Sequence, residues 1–127
     1  MSNLSPITAL SPLDGRYLHH CQELHPIASE YGLMRYRFIV EIKWLQSLSK
    51  ANIKSFPELS KAGYDYLEKL ISSFNPNDAF AIKAIEMNTN HDVKAVEYYI
   101  KEKLAANESL GNLLEYVHFA CTSEDIN

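Results

Sequence analysis

Three short polar clusters interrupt an otherwise helix-patterned chain, and their residue types suit anion binding and proton transfer. They are Asp14-Gly15-Arg16-Tyr17, Thr89-Asn90-His91-Asp92 and Thr122-Ser123-Glu124-Asp125. The Arg16 guanidinium can take two oxygens of a phosphate at once, and the Tyr17 hydroxyl can add a third donor. Gly15 would let the backbone come close to such a ligand. The competing fate of Arg16 is that of a solvated surface charge. His91 beside Asp92 suits a proton donor, a proton acceptor or an anion contact. The helix dipole lowers its pKa while the Asp raises it, so its charge stays open at this point. The same cluster equally fits a helix start, with Thr89 or Asn90 as N-cap and Asp92 in the first turn. Thr122 and Ser123 offer two hydroxyls and free N–H groups, a cradle suited to a carboxylate. As plain capping, the Thr122 hydroxyl accepts a backbone N–H and Asp125 closes the first turn.

The remaining reactive residue types lack such company. Ser123 has no Gly-x-Ser-x-Gly elbow around it. His19, His20 and His25 lie in a loop region with no carboxylate or Cys at metal spacing, and His118 reads as a helix-end or interface residue. No His-Glu-x-x-His, phosphate-loop or Cys-x-x-Cys pattern occurs. Tyr98-Tyr99 reads as packing or subunit contact. Cys21 and Cys121 lie far apart without metal spacing; they could form one bridge, but a reduced, cytosolic pair suits a chain with a real core better.

The elements that must carry these clusters are helical. With 127 residues, 46% of them hydrophobic, the chain can build one core. A net charge of −4 without a basic run gives no footprint for nucleic acid or an acidic membrane. The most apolar stretch, Phe38 to Leu48, is interrupted by Glu41 and Lys43, so it does not read as a membrane span. Met1-Ser2-Asn3-Leu4-Ser5-Pro6 does not open a signal peptide, so the cytoplasm is the expected compartment.

Residues 1–25 read as irregular. From about Ile27 to Lys50, Leu33, Tyr36, Val40, Trp44 and Leu48 recur at helical spacing, with Phe38, Ile42 and Leu45 widening the face and Gly32 marking a break or kink. Asn52 to Pro57 is a connector. Leu59, Ala62, Tyr66, Leu67, Leu70, Ile71 and Phe74 give a second helix. Asn75-Pro76 opens a third, running to about Met87. Val93, Val96, Ile100 and Leu104 stripe a fourth, with Glu97 and Lys101 paired one turn apart. Leu110, Leu113, Leu114 and Val117 mark a short fifth. No segment alternates with period two, so the expected fold is all-α: about five helices in a domain over 1–121, with a further helix begun at 122–127. That last helix stops within one turn of its start, which reads as the front part of a longer protein cut through an element.

Taken together, three runs resemble the N-terminal domain of the adenylosuccinate lyase family, of bacterial type, within the fumarase/aspartase superfamily. They are Ser11-Pro12-Leu13-Asp14-Gly15-Arg16-Tyr17, the stretch from Thr89-Asn90-His91-Asp92-Val93-Lys94 to Tyr99, and His118-Phe119-Ala120-Cys121-Thr122-Ser123-Glu124-Asp125-Ile126-Asn127. The resemblance covers essentially the whole chain. It implies a helical subunit of a homotetramer whose active sites combine segments of several subunits. It implies that Arg16 and Tyr17 contact the nucleotide end of the substrate, that Asn90, His91 and Asp92 line the site, and that Thr122 and Ser123 hold a carboxylate of the succinyl group. The implied reaction is β-elimination of fumarate from adenylosuccinate and from succinylaminoimidazole carboxamide ribotide, in purine biosynthesis, with no metal or organic cofactor. The family's general base, a Ser on a Gly-Ser-Ser loop, and its general acid, a His of the central domain, have no counterpart up to Asn127, so the 127-residue chain alone is expected to be inactive. Two alternatives stand beside this: a helical interaction module that lost the chemistry, and another lyase of the superfamily, such as argininosuccinate lyase or fumarase.

Overall fold

The computed structural model describes residues 5–127, and the described residues are helices and turns without a strand. The part of the irregular reading that falls on residues 1–4 lies outside the described residues. The chain divides into two compact units, one ending at Leu33 and the other running Met34–Asn127.

In the first unit, residues 5–17 form successive turns, closed by the Tyr17 N–H donating to the Pro12 carbonyl at 2.8 Å. Two 3-10 turns follow, Leu18–His20 and Gln22–Leu24, and then a short helix α1, His25–Ala28. Helix α1 stops because Ser29 is extended, with ψ 169. The Ser29 hydroxyl then accepts the Gly32 N–H at 3.2 Å and starts α2, Glu30–Lys50. The break therefore falls at Ser29 and not at Gly32. Gly32 serves a different need, since a Cβ there would stand 2.3 Å from the Ile27 carbonyl oxygen.

The second unit is assembled on the rest of α2. Helix α3 spans Lys61–Ser73, started by the Ser60 hydroxyl accepting the Gly63 N–H at 3.1 Å. Helix α4 spans Pro76–Thr89. Asn75 caps it, accepting the Asn77 N–H at 2.9 Å, while Asp78 reaches back to the Asn75 N–H at 2.8 Å. Helix α5 spans Asp92–Ala105 and folds back on α4 as a hairpin. The short fifth helix expected from Leu110 to Val117 is 3-10, Gly111–Tyr116, and it buries Leu110, Leu113 and Val117 against the end of α5. Helix α6, Ser123–Ile126, is the last element. Among the described residues no helix is long and apolar enough to cross a membrane.

Phe38 sits at the centre of the core, with its ring 4.9 Å from that of Phe74 and 6.1 Å from that of Tyr99. Val93, Val96, Ile100 and Leu104 of α5 are buried, as the spacing predicted. The buried face of α2 takes in Phe38, Ile42, Leu45 and Leu48, as expected, but not the rest of the expected stripe. Met34, Phe38, Ile42, Leu45 and Leu48 form it, whereas Leu33, Tyr36 and Val40 remain 44%, 45% and 39% exposed. The helix carries apolar residues on more than one side, so period alone does not choose between them. The buried face also contains two charges, Arg37 and Glu41.

Candidate functional site

The Asp14–Tyr17 cluster belongs to the first unit. Arg16 and Tyr17 are both exposed, and the guanidinium lies 5.6 Å from the centre of the Tyr17 ring. Gly15 is buried, and the position a Cβ would take is 2.5 Å from the Pro6 carbonyl oxygen. The close backbone approach it permits is thus made by the chain itself. The same unit holds a cleft of about 480 Å³ lined by Ser11, Leu13, Asp14, Cys21, Leu24, His25, Ala28 and Ser29.

The second cluster is the turn between α4 and α5. The assignment of capping duties differs from the sequence reading. Asn90 does not start α5: it closes α4 in the left-handed region, φ 51, with its N–H donating to Glu86 O at 2.8 Å. His91 is the N-cap of α5, its Nδ1 accepting the Lys94 N–H at 3.1 Å. The Thr89 hydroxyl donates to the His91 carbonyl at 3.2 Å. Capping thus uses the imidazole, a role the sequence reading gave to its neighbours. Because Nδ1 accepts, the neutral ring carries its proton on Nε2, and the His91 side chain is 51% exposed.

Asp92 is held on both carboxylate oxygens. Oδ1 accepts the Val93 N–H at 2.9 Å, and Oδ2 accepts from Arg37 at 2.7 Å. Burial alone would raise its pKa, but the Val93 amide and the Arg37 guanidinium outweigh it and keep the carboxyl below its ordinary range. Arg37, with its side chain 8% exposed, also donates from Nε to Asn127 Oδ1 at 2.9 Å. One buried cation therefore ties the Asp92 turn to the end of α6.

The third cluster starts α6. Asp125 accepts from the Thr122 N–H at 2.7 Å and from the Thr122 hydroxyl at 3.0 Å. These two bonds hold its carboxyl below the usual range. Here the hydroxyl donates to the acid. Thr122 is exposed and Ser123 half-buried. Just upstream, His118 Nδ1 meets Glu41 Oε1 at 2.5 Å, and the Trp44 indole donates to the Phe119 carbonyl at 2.7 Å. Burial pushes the Glu41 carboxyl up, more than the His118 contact pulls it down. Burial, reinforced by Glu41 and Asp125, likewise raises the Cys121 thiol. Cys21 and Cys121 are both free thiols. No group of His, Cys, Asp and Glu among the described residues is arranged to hold a metal ion.

Sequence reading missed the polar roles of Arg37, Glu41 and Trp44, which recur at helical spacing on α2: Arg37 holds Asp92 of the second cluster, and Glu41 and Trp44 hold the turn just before the third. The signal was present as two opposite charges four residues apart inside a run otherwise rich in core residues.

The family described as Lyase matches residues 15–127. The chain is 53% identical over 125 residues to an adenylosuccinate lyase of Vibrio cholerae serotype O1. It is 52% identical to one from Haemophilus influenzae and 51% identical to one from Escherichia coli K12. Each alignment covers 98% of this chain and 27% of the relative, so the chain spans about a quarter of the length of the curated relatives it matches.

Proposed function

The chain belongs to the lyase family, and from that premise we propose that it supplies the N-terminal part of an adenylosuccinate lyase. The reaction is the elimination of fumarate from adenylosuccinate, giving AMP, and from succinylaminoimidazole carboxamide ribotide. A base removes a proton from the carbon next to a carboxylate, the C–N bond breaks, and an acid protonates the departing nitrogen. Both of these groups come from outside the 127 residues. The carrying observation is identity of about half over nearly the whole chain to proteins named for this activity.

Arg16 and Tyr17 bind the nucleotide end, where an exposed guanidinium supplies paired donors for phosphate. Asn90, His91 and Asp92 line the reacting end. His91 contributes the Nε2 side of its ring, since Nδ1 is engaged by the Lys94 amide. Asp92 offers the exposed half of its carboxylate, which Arg37 and the Val93 amide fix in orientation. Ser123 and Thr122 hold a carboxylate and stabilise the charge that builds on it in the transition state, the Thr122 hydroxyl turning its proton from Asp125 to the substrate to do so. The working enzyme is a cytoplasmic homotetramer that completes each site with segments of neighbouring subunits, and it needs no metal or organic cofactor.

The test begins with the gene beyond the codon for Asn127. The expected continuation is a long-helix domain carrying a Gly-Ser-Ser loop, and the full-length product is expected to release fumarate from adenylosuccinate. A purified full-length protein inert towards adenylosuccinate but active on argininosuccinate or another succinyl compound would overturn the assignment.

A further inference from the structure

Glu41 poses a problem that core packing does not answer. Its side chain has no exposed surface, one carboxylate oxygen meets His118, and the other, Oε2, is buried with no hydrogen-bond partner among the described residues. A buried pair of this kind is commonly no more stable than an apolar residue of the same size. What the pair does hold is a strained turn. His118 and Ala120 both lie in the left-handed region, φ 62 and 58, where side-chain-bearing residues persist only when their surroundings fix them. The Cys121 N–H donates back to the His118 carbonyl at 3.3 Å, and Thr122 follows directly. Helix α2 grips this turn twice, at the His118 ring from Glu41 and at the Phe119 carbonyl from Trp44, one turn further along the same helix.

We infer that Glu41 is a positioning residue that, through His118 and with Trp44, sets the Thr122 and Ser123 hydroxyls in register with the substrate carboxylate. This rests on the reading of Thr122 and Ser123 given under the proposed function. The neighbouring acids Glu97 and Asp125 act on the same cluster: Glu97 acts against a charged Glu41, and His118 acts on Asp125.

The test uses the full-length protein and two product inhibitors, fumarate for the carboxylate end and AMP for the nucleotide end. Glu41→Leu removes the pair at similar volume. It is expected to leave the melting temperature unchanged or raised, to weaken fumarate inhibition about ten-fold and to change AMP inhibition less than about two-fold. Glu41→Gln keeps an acceptor for His118 and is expected to recover most of the fumarate affinity. Trp44→Phe removes only the second grip, should move fumarate inhibition in the same direction, and decides the matter if the Leu variant does not fold. Fumarate inhibition within about two-fold of wild type, or equal weakening at both ends, would overturn the inference. Wild-type protein that binds both products but cleaves no adenylosuccinate would instead overturn the reading beneath it, and this inference with it.

Discussion

Replacing Arg37 by Met separates what its charge does from what its stem does. The stem is buried and Met keeps most of it, so the loss is confined to the polar contacts. The bond to Asp92 is charge-assisted, a class worth about 1.5–3 kcal/mol, but Asp92 is half in water, which places it nearer ~1 kcal/mol. The contacts to Asn127 add about 1 kcal/mol. Arg37→Met is therefore expected to destabilise the chain by ~2 kcal/mol in urea unfolding at neutral pH. Asp92 has a lowered pKa in the fold, so its share of the stability is complete above the unfolded value and is lost as pH falls through the folded one. The gap between variant and wild type should then narrow by about 1 kcal/mol between roughly pH 5 and pH 3. A gap under about 0.5 kcal/mol at neutral pH, or one that does not shrink on acidification, would show that Arg37 does not bind the two segments as described.

Three further outcomes are expected. His91→Ala should cost about 1 kcal/mol through loss of the α5 cap, while His91→Asn, a good cap, should restore stability. In the full-length enzyme neither variant should restore turnover, and full activity in His91→Asn would remove the imidazole from the chemistry. Arg16→Ala in the full-length enzyme should raise KM for adenylosuccinate and weaken AMP inhibition more than it lowers kcat, and unchanged AMP inhibition would remove Arg16 from the phosphate. The isolated 127-residue chain should release no fumarate, and turnover by a preparation free of the host enzyme would contradict the assignment of acid and base to other segments.

The sequence made local structure readable and left long-range partnerships hidden. Asn75-Pro76 and the stripe of α5 could be placed because a cap and a helical face are set by residues within one or two turns. The face of α2 is legible only in part, at Phe38, Ile42, Leu45 and Leu48, because apolar residues surround much of the helix and only the neighbours decide which side is covered. His91 was passed over as a cap because imidazoles seldom serve as one, although its nitrogen accepts as a Thr oxygen would. The three polar clusters were visible from residue type. The Arg37–Asp92 and Glu41–His118 pairs were not, since they join residues 55 and 77 positions apart and a single chain offers no sign of such a match.

A free imidazole can relay a proton, taking it up at one nitrogen and releasing it from the other. At His91 one of those doors is closed by the helix that follows. A proton arriving on the inner nitrogen would have to displace the Lys94 amide and give up the α5 cap, so the outer nitrogen is the favoured point of exchange.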